Sequence, residues 1–289
     1  MTTTLYDIPG PRARATNRML AVVGVLLAVA LVGFAVFRFG QSGLFSYEQW
    51  DWITYENIQL VLLSGLLATL QAFAVGAVLA LVFGAVFAAA RLSDHAWIRS
   101  PATAIVEFFR AIPLLVLMFL LYFGLGTGAF VAVVVGLMLY NGSVLAEIFR
   151  AGVLAVPRGQ SEASYALGMR KTQVMLSVLL PQALTAMLPT VISQLVVLLK
   201  DTALGFIIQY QELLYQGRFI GSQIQLDSPI IPVAIVIAIM YIAMCLLLSW
   251  FATWLEARLR RRGRTSAEVG HADLIGDQAG VGTGPTAAQ

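Results

Sequence analysis

The chain has 289 residues, 59% of them hydrophobic and 11% charged, with a formal net charge of +3. Such a composition excludes an ordinary soluble domain and specifies a polytopic membrane protein, in which the placement of basic residues matters more than their sum. Cys245 is the single cysteine and His95 and His271 are the two histidines, so neither a disulfide framework nor a metal site is expected. No basic stripe interleaved with stacking aromatics points to nucleic acid.

Residues 1–18 form a polar tail with Arg12, Arg14 and Arg18 ahead of an uncharged run from Met19 to Phe37. A basic start before an apolar run fits a signal peptide or a first span. The run is longer than a usual signal core and no A-x-A cleavage site follows, which favours an uncleaved span with its N-terminus inside. Phe45, Tyr47, Trp50, Trp52 and Tyr55 then mix with Glu48, Asp51 and Glu56. An aromatic belt in an outer interfacial segment accounts for them, and closes a first unit at residues 19–57.

From Asn57 to Ala90 nothing is charged, and a span is expected over Ser64–Ala90, with Gly65, Gly76 and Gly84 as small packing surfaces. Arg91–Arg99 makes a short inner loop. The next span starts near Pro101 or Thr103, and Pro113 bends it. Glu107 and Arg110, three apart on one helix face near its inner end, can pair or snorkel. The turn signal Gly124–Gly128 divides the uncharged stretch Ala111–Ala146 into two crossings, the second over about Ala129–Phe149. Glu147 and Arg150 at its end are again three apart. They read as an ion pair holding the entry of the next loop, ahead of any role in transport.

From Pro157 to Pro189 the chain is mildly polar, with Arg158, Glu162, Arg170 and Lys171. That is too much charge for lipid, and a folded cytoplasmic loop is placed at 151–182. Glu162-Ala163-Ser164 is followed after three residues by Gly168 and after nine more by Val178-Leu179-Leu180-Pro181. This spacing resembles the EAA loop of the membrane subunits of ATP-binding-cassette importers, with Ser164 in place of the third Ala and Val178 in place of Ile. The resemblance implies a short helix seated in a groove of a partner. Gly168 permits the tight turn after it, and Leu180-Pro181 ends the apolar run before the next span. Phe109-Arg110-Ala111-Ile112-Pro113-Leu114 and Ala146-Glu147-Ile148-Phe149-Arg150 are similar to two signatures of polar-amino-acid importers, although Ala111-Ile112 replaces the usual Gly-Thr.

The next span, Ala183–Ile208, contains Lys200-Asp201-Thr202-Ala203-Leu204, which resembles the Lys-Asp-Thr-Ser-Leu run of amino-acid importers. Charged residues within a span are costly and are functional candidates by default. In one reading Lys200, Asp201 and Thr202 line the substrate path, Lys200 meeting a carboxylate while Asp201 fixes a neighbouring helix. In the other, Lys200 and Asp201 form a structural ion pair without ligand contact. Gln209–Ser228 is a polar outer segment suited to meeting an external partner. Residues 229–255 form the last span, and 257–289 a basic cytoplasmic tail that is irregular from Thr265.

Six spans put both termini and the Glu162 loop on the side that collects Arg12, Arg14, Arg18, Arg91, Arg99, Arg110, Arg150, Arg158, Arg170 and Lys171, against Arg38 and Arg218 opposite. Positive-inside makes that side cytoplasmic. The resemblance covers residues 60–256 and implies an all-α integral membrane protein of six transmembrane helices. A five-helix type I importer permease core over 58–256 is preceded by one extra helix, in a bacterial cytoplasmic membrane. It further implies a second permease chain, an extracytoplasmic amino-acid-binding protein, and ATPase subunits that carry ATP and Mg²⁺. No Walker A sequence occurs in this chain, and no catalytic residue is assigned to it. Polar amino acids are the implied substrates, glutamate favoured. The competing reading is an ion-coupled secondary transporter using Lys200 and Asp201, which predicts inverted repeats. None is visible in the sequence.

Overall fold

The computed structural model describes residues 10–41 and 43–279, and the regular structure among them is entirely helical. Helix α1 spans Pro11–Gln41, so the helix begins within the stretch expected to be a tail. No part of its apolar window is buried against the rest of the chain. Two 3-10 turns, Tyr47–Gln49 and Asp51–Thr54, follow. They carry Trp52 inward to 1% exposure, with its indole N–H donating to the Gln49 carbonyl at 3.0 Å. Trp52 is therefore a core anchor rather than a member of an aromatic belt.

Helix α2, Glu56–Arg91, has 36 residues and reads about 54 Å long. Gly65, Thr69, Ala72, Gly76, Ala80, Gly84 and Ala88 are buried at intervals of three or four, with Ala77 buried beside them. One stripe thus lacks side-chain volume and lets backbones approach. Helix α5, Ala129–Leu154, lies on it in the largest interface of the chain. A Cβ built on Gly84 would come within 2.8 Å of Leu145 Cβ, and one on Gly142 within 2.9 Å of Phe83 Cδ1.

Between them the third crossing is broken rather than bent. Helix α3 spans Ala96–Ala111 and α4 spans Leu114–Phe119, continued by a π turn over Leu120–Gly124. The two arms differ in direction by 98°. Pro113 forces Ile112 out of the helical region, to φ −84° and ψ 127°, and cannot itself donate a hydrogen bond.

After α5 come α6, Arg158–Ala166, and a continuous helical run over Lys171–Ile208. This run comprises α7 (Lys171–Gln173), a π segment (Val174–Leu179), α8 (Leu180–Asp201) and a 3-10 end (Thr202–Ile208). The span accordingly starts well before Ala183. Pro181 does not separate loop from span. Its ring would clash with the Ser177 carbonyl of a regular helix, and the wider π turn just before it removes the conflict.

Helix α9, Leu213–Gly221, and α10, Ile230–Ala279, complete the fold. The helix of α10 carries on past the basic cluster, where an irregular tail is expected. Ala, Glu, Leu and Arg favour helix locally, and no proline intervenes before Pro285. Residues 1–9 of the expected N-terminal tail and 280–289 of the C-terminal one lie outside the described residues. Among the described residues, five helices are long and apolar enough to cross a membrane, and the α3–α4 pair makes a sixth span when counted as one. Two cores result. The first joins α2, α4, α5 and α8 around Met118, Leu137, Leu145 and Leu198. The second joins Trp52, α9 and α10 to the N-terminal part of α2 around Leu213, Ile220 and Val233.

Candidate transport and coupling sites

Helix α6 ends in a glycine-dependent cap. Gly168 has φ +77°. The Gly168 N–H donates to the Tyr165 carbonyl at 2.9 Å and the Met169 N–H reaches back to Ser164 at 3.2 Å. This is a Schellman closure, and it explains a glycine at that place in the motif. Ser164 turns inward and its hydroxyl donates to the Gln160 carbonyl at 2.7 Å. Glu162 and Ala163 face outward. So do Tyr165 at 49% and Leu167 at 84% exposure, two apolar contact candidates that the motif spacing passes over as unspecified positions. Pro181 is exposed and Leu180 half-buried.

Beyond the cap, Lys171 pairs with Asp94 of the α2–α3 turn. That hydrogen bond and charge hold the Asp94 carboxyl below the usual carboxylate range. The pair stands at the rim of a largely apolar groove of about 650 Å³, walled by Ala88, Leu92, Phe149, Val153, Leu180 and Met187.

The two expected helix-end pairs prove to be parts of one ladder. Arg110 lies 3.3 Å from Glu107, Glu107 3.2 Å from Arg91, Arg91 2.9 Å from Glu147, and Glu147 2.6 Å from Arg150. Arg91, read in the sequence only as the start of an inner loop, is the central rung. Its side chain is 7% exposed. The Arg91 Nη1 contact with Glu147 has the distance of an ion pair without hydrogen-bond geometry, and Nη1 and Nε both stay buried without a hydrogen-bond partner. We therefore regard this contact as electrostatic. The ladder ties α2, α3 and α5 together at one level.

Within the spans, Lys200 and Asp201 diverge, as neighbours about 100° apart on a helix must. Asp201 accepts from Asn141 Nδ2 of α5 at 3.3 Å, and Asn141 Oδ1 in turn accepts from Gln194 Nε2 at 2.7 Å. Lys200 is exposed on the surface of the chain, and among the described residues it forms no ion pair with Asp201. Thr202 is fully buried and donates to the Leu199 carbonyl at 2.6 Å, so it does not reach a path through its hydroxyl. Asn141 is fully buried and was not singled out in the sequence. A lone amide in an otherwise apolar run is the signal that identifies it.

At the end of the bundle where α2 begins, Glu212 is fully buried. Its carboxylate caps α9, accepting from the Leu214 and Tyr215 N–H groups at 2.8 Å each, and from the Tyr241 hydroxyl of α10 at 2.6 Å. The Leu213 N–H donates to Thr69 Oγ1 of α2 at 3.1 Å, and the Tyr210 hydroxyl to the Ala68 carbonyl at 2.8 Å. Glutamate is not a usual N-cap residue, so nothing in the sequence distinguishes this acid from the exposed ones around it.

Residues 80–261 match the model of the family described as binding-protein-dependent transport system inner membrane component. The chain is 40% identical to the glutamate transport system permease protein GluD of Corynebacterium glutamicum, over 72% of this chain and 76% of that protein. It is 31% identical to the glutamate/aspartate import permease protein GltK of Escherichia coli, over 73% and 98%. A crystal structure of an amino acid ABC transporter with histidines superposes with a TM-score of 0.64 at 30% identity, covering 72% of this chain and 98% of that one. These matches give the ion-coupled alternative no support. With its helical spans, its EAA-type loop and these relatives, the chain belongs to the binding-protein-dependent transport system inner membrane components, the permease subunits of ABC importers.

Proposed function

We propose that the chain is the permease of an ATP-driven importer of polar amino acids, glutamate foremost, and that it works with a second permease chain. ATPase subunits carrying ATP and Mg²⁺ dock on α6, and an extracytoplasmic amino-acid-binding protein delivers the solute. Both termini and the α6 loop face the cytoplasm of a bacterial cell, in keeping with the arginine distribution.

The observation that carries the coupling role is the outward face of α6. Glu162, Tyr165 and Leu167 project from a helix whose end is fixed by Gly168, outside any span. The substrate class rests on relatives named for glutamate transport. Lys200 suits an amino-acid carboxylate, because a cation exposed on a spanning helix needs water, a partner helix or an anion rather than lipid. Asp201 serves as the structural member, held by Asn141 at 3.3 Å. Closure of the ATPases on α6 drives a rigid-body change between inward- and outward-facing pairs.

Uptake of labelled glutamate into vesicles reconstituted with the permeases, ATPase and binding protein tests this reading. Glu162→Arg is expected to abolish both uptake and co-purification of the ATPase. Lys200→Ala is expected to raise KM or abolish uptake with the ATPase still bound. Uptake driven by an ion gradient without any ATPase overturns the proposal.

A further inference from the structure

Two close approaches set the level of α8 in the bundle. A Cβ on Gly76 would come within 3.8 Å of Leu198 Cδ2, and one on Gly152 within 3.0 Å of Met187 Sδ. Gly76 is central in the uncharged run of α2 from Asn57 to Ala90, whereas Gly152 stands just past Arg150. The stretch from Met187 to Lys200 therefore leads from the charged end of the bundle to its middle.

The exposed residues of that stretch are Pro189, Thr190, Ser193, Val197 and Lys200. At 100° per residue they share an arc of about 100°, and Val197 is the one large hydrophobic among them. Over the same depth α2 exposes Val78, Leu79, Val82, Ala85, Val86 and Ala89, all of them apolar, as hydrocarbon requires. A hydroxyl and an ammonium group at the level where α2 carries only aliphatic side chains do not belong against lipid.

Hydrogen bonding gives the arc a polarity. Ser193 Oγ donates to the Pro189 carbonyl at 3.0 Å, which commits its proton and leaves its lone pairs free. Pro189 offers no N–H to the Thr185 carbonyl one turn earlier, so a backbone acceptor opens beside it. Lys200 enters no ion pair among the described residues. Asp201 and Gln194, about 100° and 120° round the helix from Lys200, make the contact with Asn141 instead. Acceptors thus occupy the first part of the arc and a cation its end.

We propose that this arc is a wall of the water-filled passage through the permease, and that the acceptors around Ser193 receive the ammonium group of an amino acid whose carboxylate meets Lys200. Ser193 and Lys200 are about 10 Å apart along the axis, a gap that the four-carbon lysine stem shortens to the length of an amino acid. The choice of solute rests on the transport reading above, whereas the wall follows from the exposed face alone.

The test uses Thr190→Cys, Ser193→Cys and Val197→Cys in a chain carrying Cys245→Ser, with Val78→Cys, Val82→Cys and Val86→Cys on α2 as controls. Each is reconstituted with the second permease, ATPase and binding protein, and treated on both sides of the membrane with a cationic and an anionic methanethiosulfonate, with and without ATP. In at least one state the α8 thiols should react about a hundredfold faster than the α2 thiols, the penalty of a charge within hydrocarbon. Rates equal to those of α2 in both states overturn the proposal, because they place the face against lipid or a second chain. At Val197→Cys the anionic reagent should lead several-fold, and Lys200→Gln should abolish that lead. At Thr190→Cys the cationic reagent should lead, and one shared preference at both positions refutes the polarity of the arc. Glutamate should slow labelling of Ser193→Cys several-fold, while glutarate, which lacks the ammonium group, should not. Equal effects of the two refute the ammonium contact. Labelling itself needs no solute. Rates like those of α2 in vesicles that take up glutamate refute the wall and spare the transport reading, whereas fast labelling without glutamate uptake supports the wall and faults that reading.

Discussion

Glu212→Ala removes a carboxylate that three donors use at once. The two N–H groups of the first turn of α9 lose their cap, which costs about 1 kcal/mol. The Tyr241 hydroxyl loses an acceptor at 2.6 Å in a buried place, where an unmet donor costs about 1–3 kcal/mol. The hydroxyls of Thr69 and Thr202 stand near Tyr241. Thr202 has its proton committed to Leu199 and a free lone pair, so Tyr241 can redirect and the lower part of that range applies. The expected total is about 2–3 kcal/mol. Glu212→Gln keeps an acceptor at the cap and should cost about half as much. Unfolding of the purified chain in mixed micelles, titrated with a denaturing detergent, supplies the free energies. Tyr241→Phe removes the donor. In a double-mutant cycle the pair Glu212→Ala with Tyr241→Phe should fall short of additivity by about 1 kcal/mol. Strict additivity, or a Glu212→Ala cost within a few tenths of zero, would show that the carboxylate neither caps α9 nor ties it to α10.

Gly84→Leu should destabilise by about 3 kcal/mol or more by overpacking, because its Cβ meets Leu145 Cβ at 2.8 Å and the Ala146 backbone nitrogen at 3.2 Å. Gly24→Leu in α1, with nothing within 4 Å, should be silent in the same unfolding assay. Gly168→Val places a β-branched residue at φ +77° and should cost about 2 kcal/mol locally, read as faster proteolysis at the end of α6 and weaker ATPase co-purification, with Gly168→Asn milder. Asp94 is depressed in the folded chain by Lys171, so the contribution of their pair is complete above the ordinary carboxylate pKa of about 4 and is lost as pH falls through the depressed value. Labels at residues 93 and 172 should hold a constant separation from about pH 8 to pH 5 and part only in acid. Asp94→Asn should part them at every pH, and separation already at neutral pH in the unmodified chain contradicts the pairing.

Spans were legible because an uncharged run of twenty residues has few alternatives to a crossing. The Glu162 loop was legible because its geometry is local: the cap at Gly168 involves residues from Ser164 to Met169 and is written in six consecutive positions. Pairs such as Glu107 with Arg110, or Glu147 with Arg150, were legible for the same reason. Arg91 was not, since its two acids lie 16 and 56 positions away and only the packing of α2 against α5 brings them to one guanidinium. Pro113 illustrates a different limit. A proline announces a departure from helix, yet whether the chain tilts or turns through 98° depends on what receives the next segment. Here the small faces of α5, with Gly136 close to Met118 and Leu114, take up α4 at the new angle. Asn141 lies more than fifty positions from Gln194 and Asp201 of α8, and Glu212 looks like any outer-loop acid until Tyr241 is beside it.

Helix α2 belongs to both cores, and that position gives the bundle its mechanics. Its inner two-thirds pack on α5 through Ala72, Ala77 and Ala80, while Ile58, Val61, Leu62 and Leu66 near its outer start pack against α9 and α10. Its inner end is fixed by Arg91 to α3 and α5, and the turn that follows is clasped by Lys171 just after the α6 cap. The end of α6 is therefore linked through the Lys171–Asp94 pair to the turn that follows a helix about 54 Å long. The α2–α5 seam is closed by glycines that leave no slack, so those two helices move as one body. The helical run that carries Lys200 and Asp201 is joined to that body at mid-membrane by the Asn141 amide. Its polar contact there is a pair of hydrogen bonds at 3.3 and 2.7 Å rather than an ion pair, beside the apolar packing of Leu198 in the first core. Charge pairs stand instead at the C-terminal end of α2, where the buried Arg91 holds α3 and α5 through the more exposed Glu107 and Glu147.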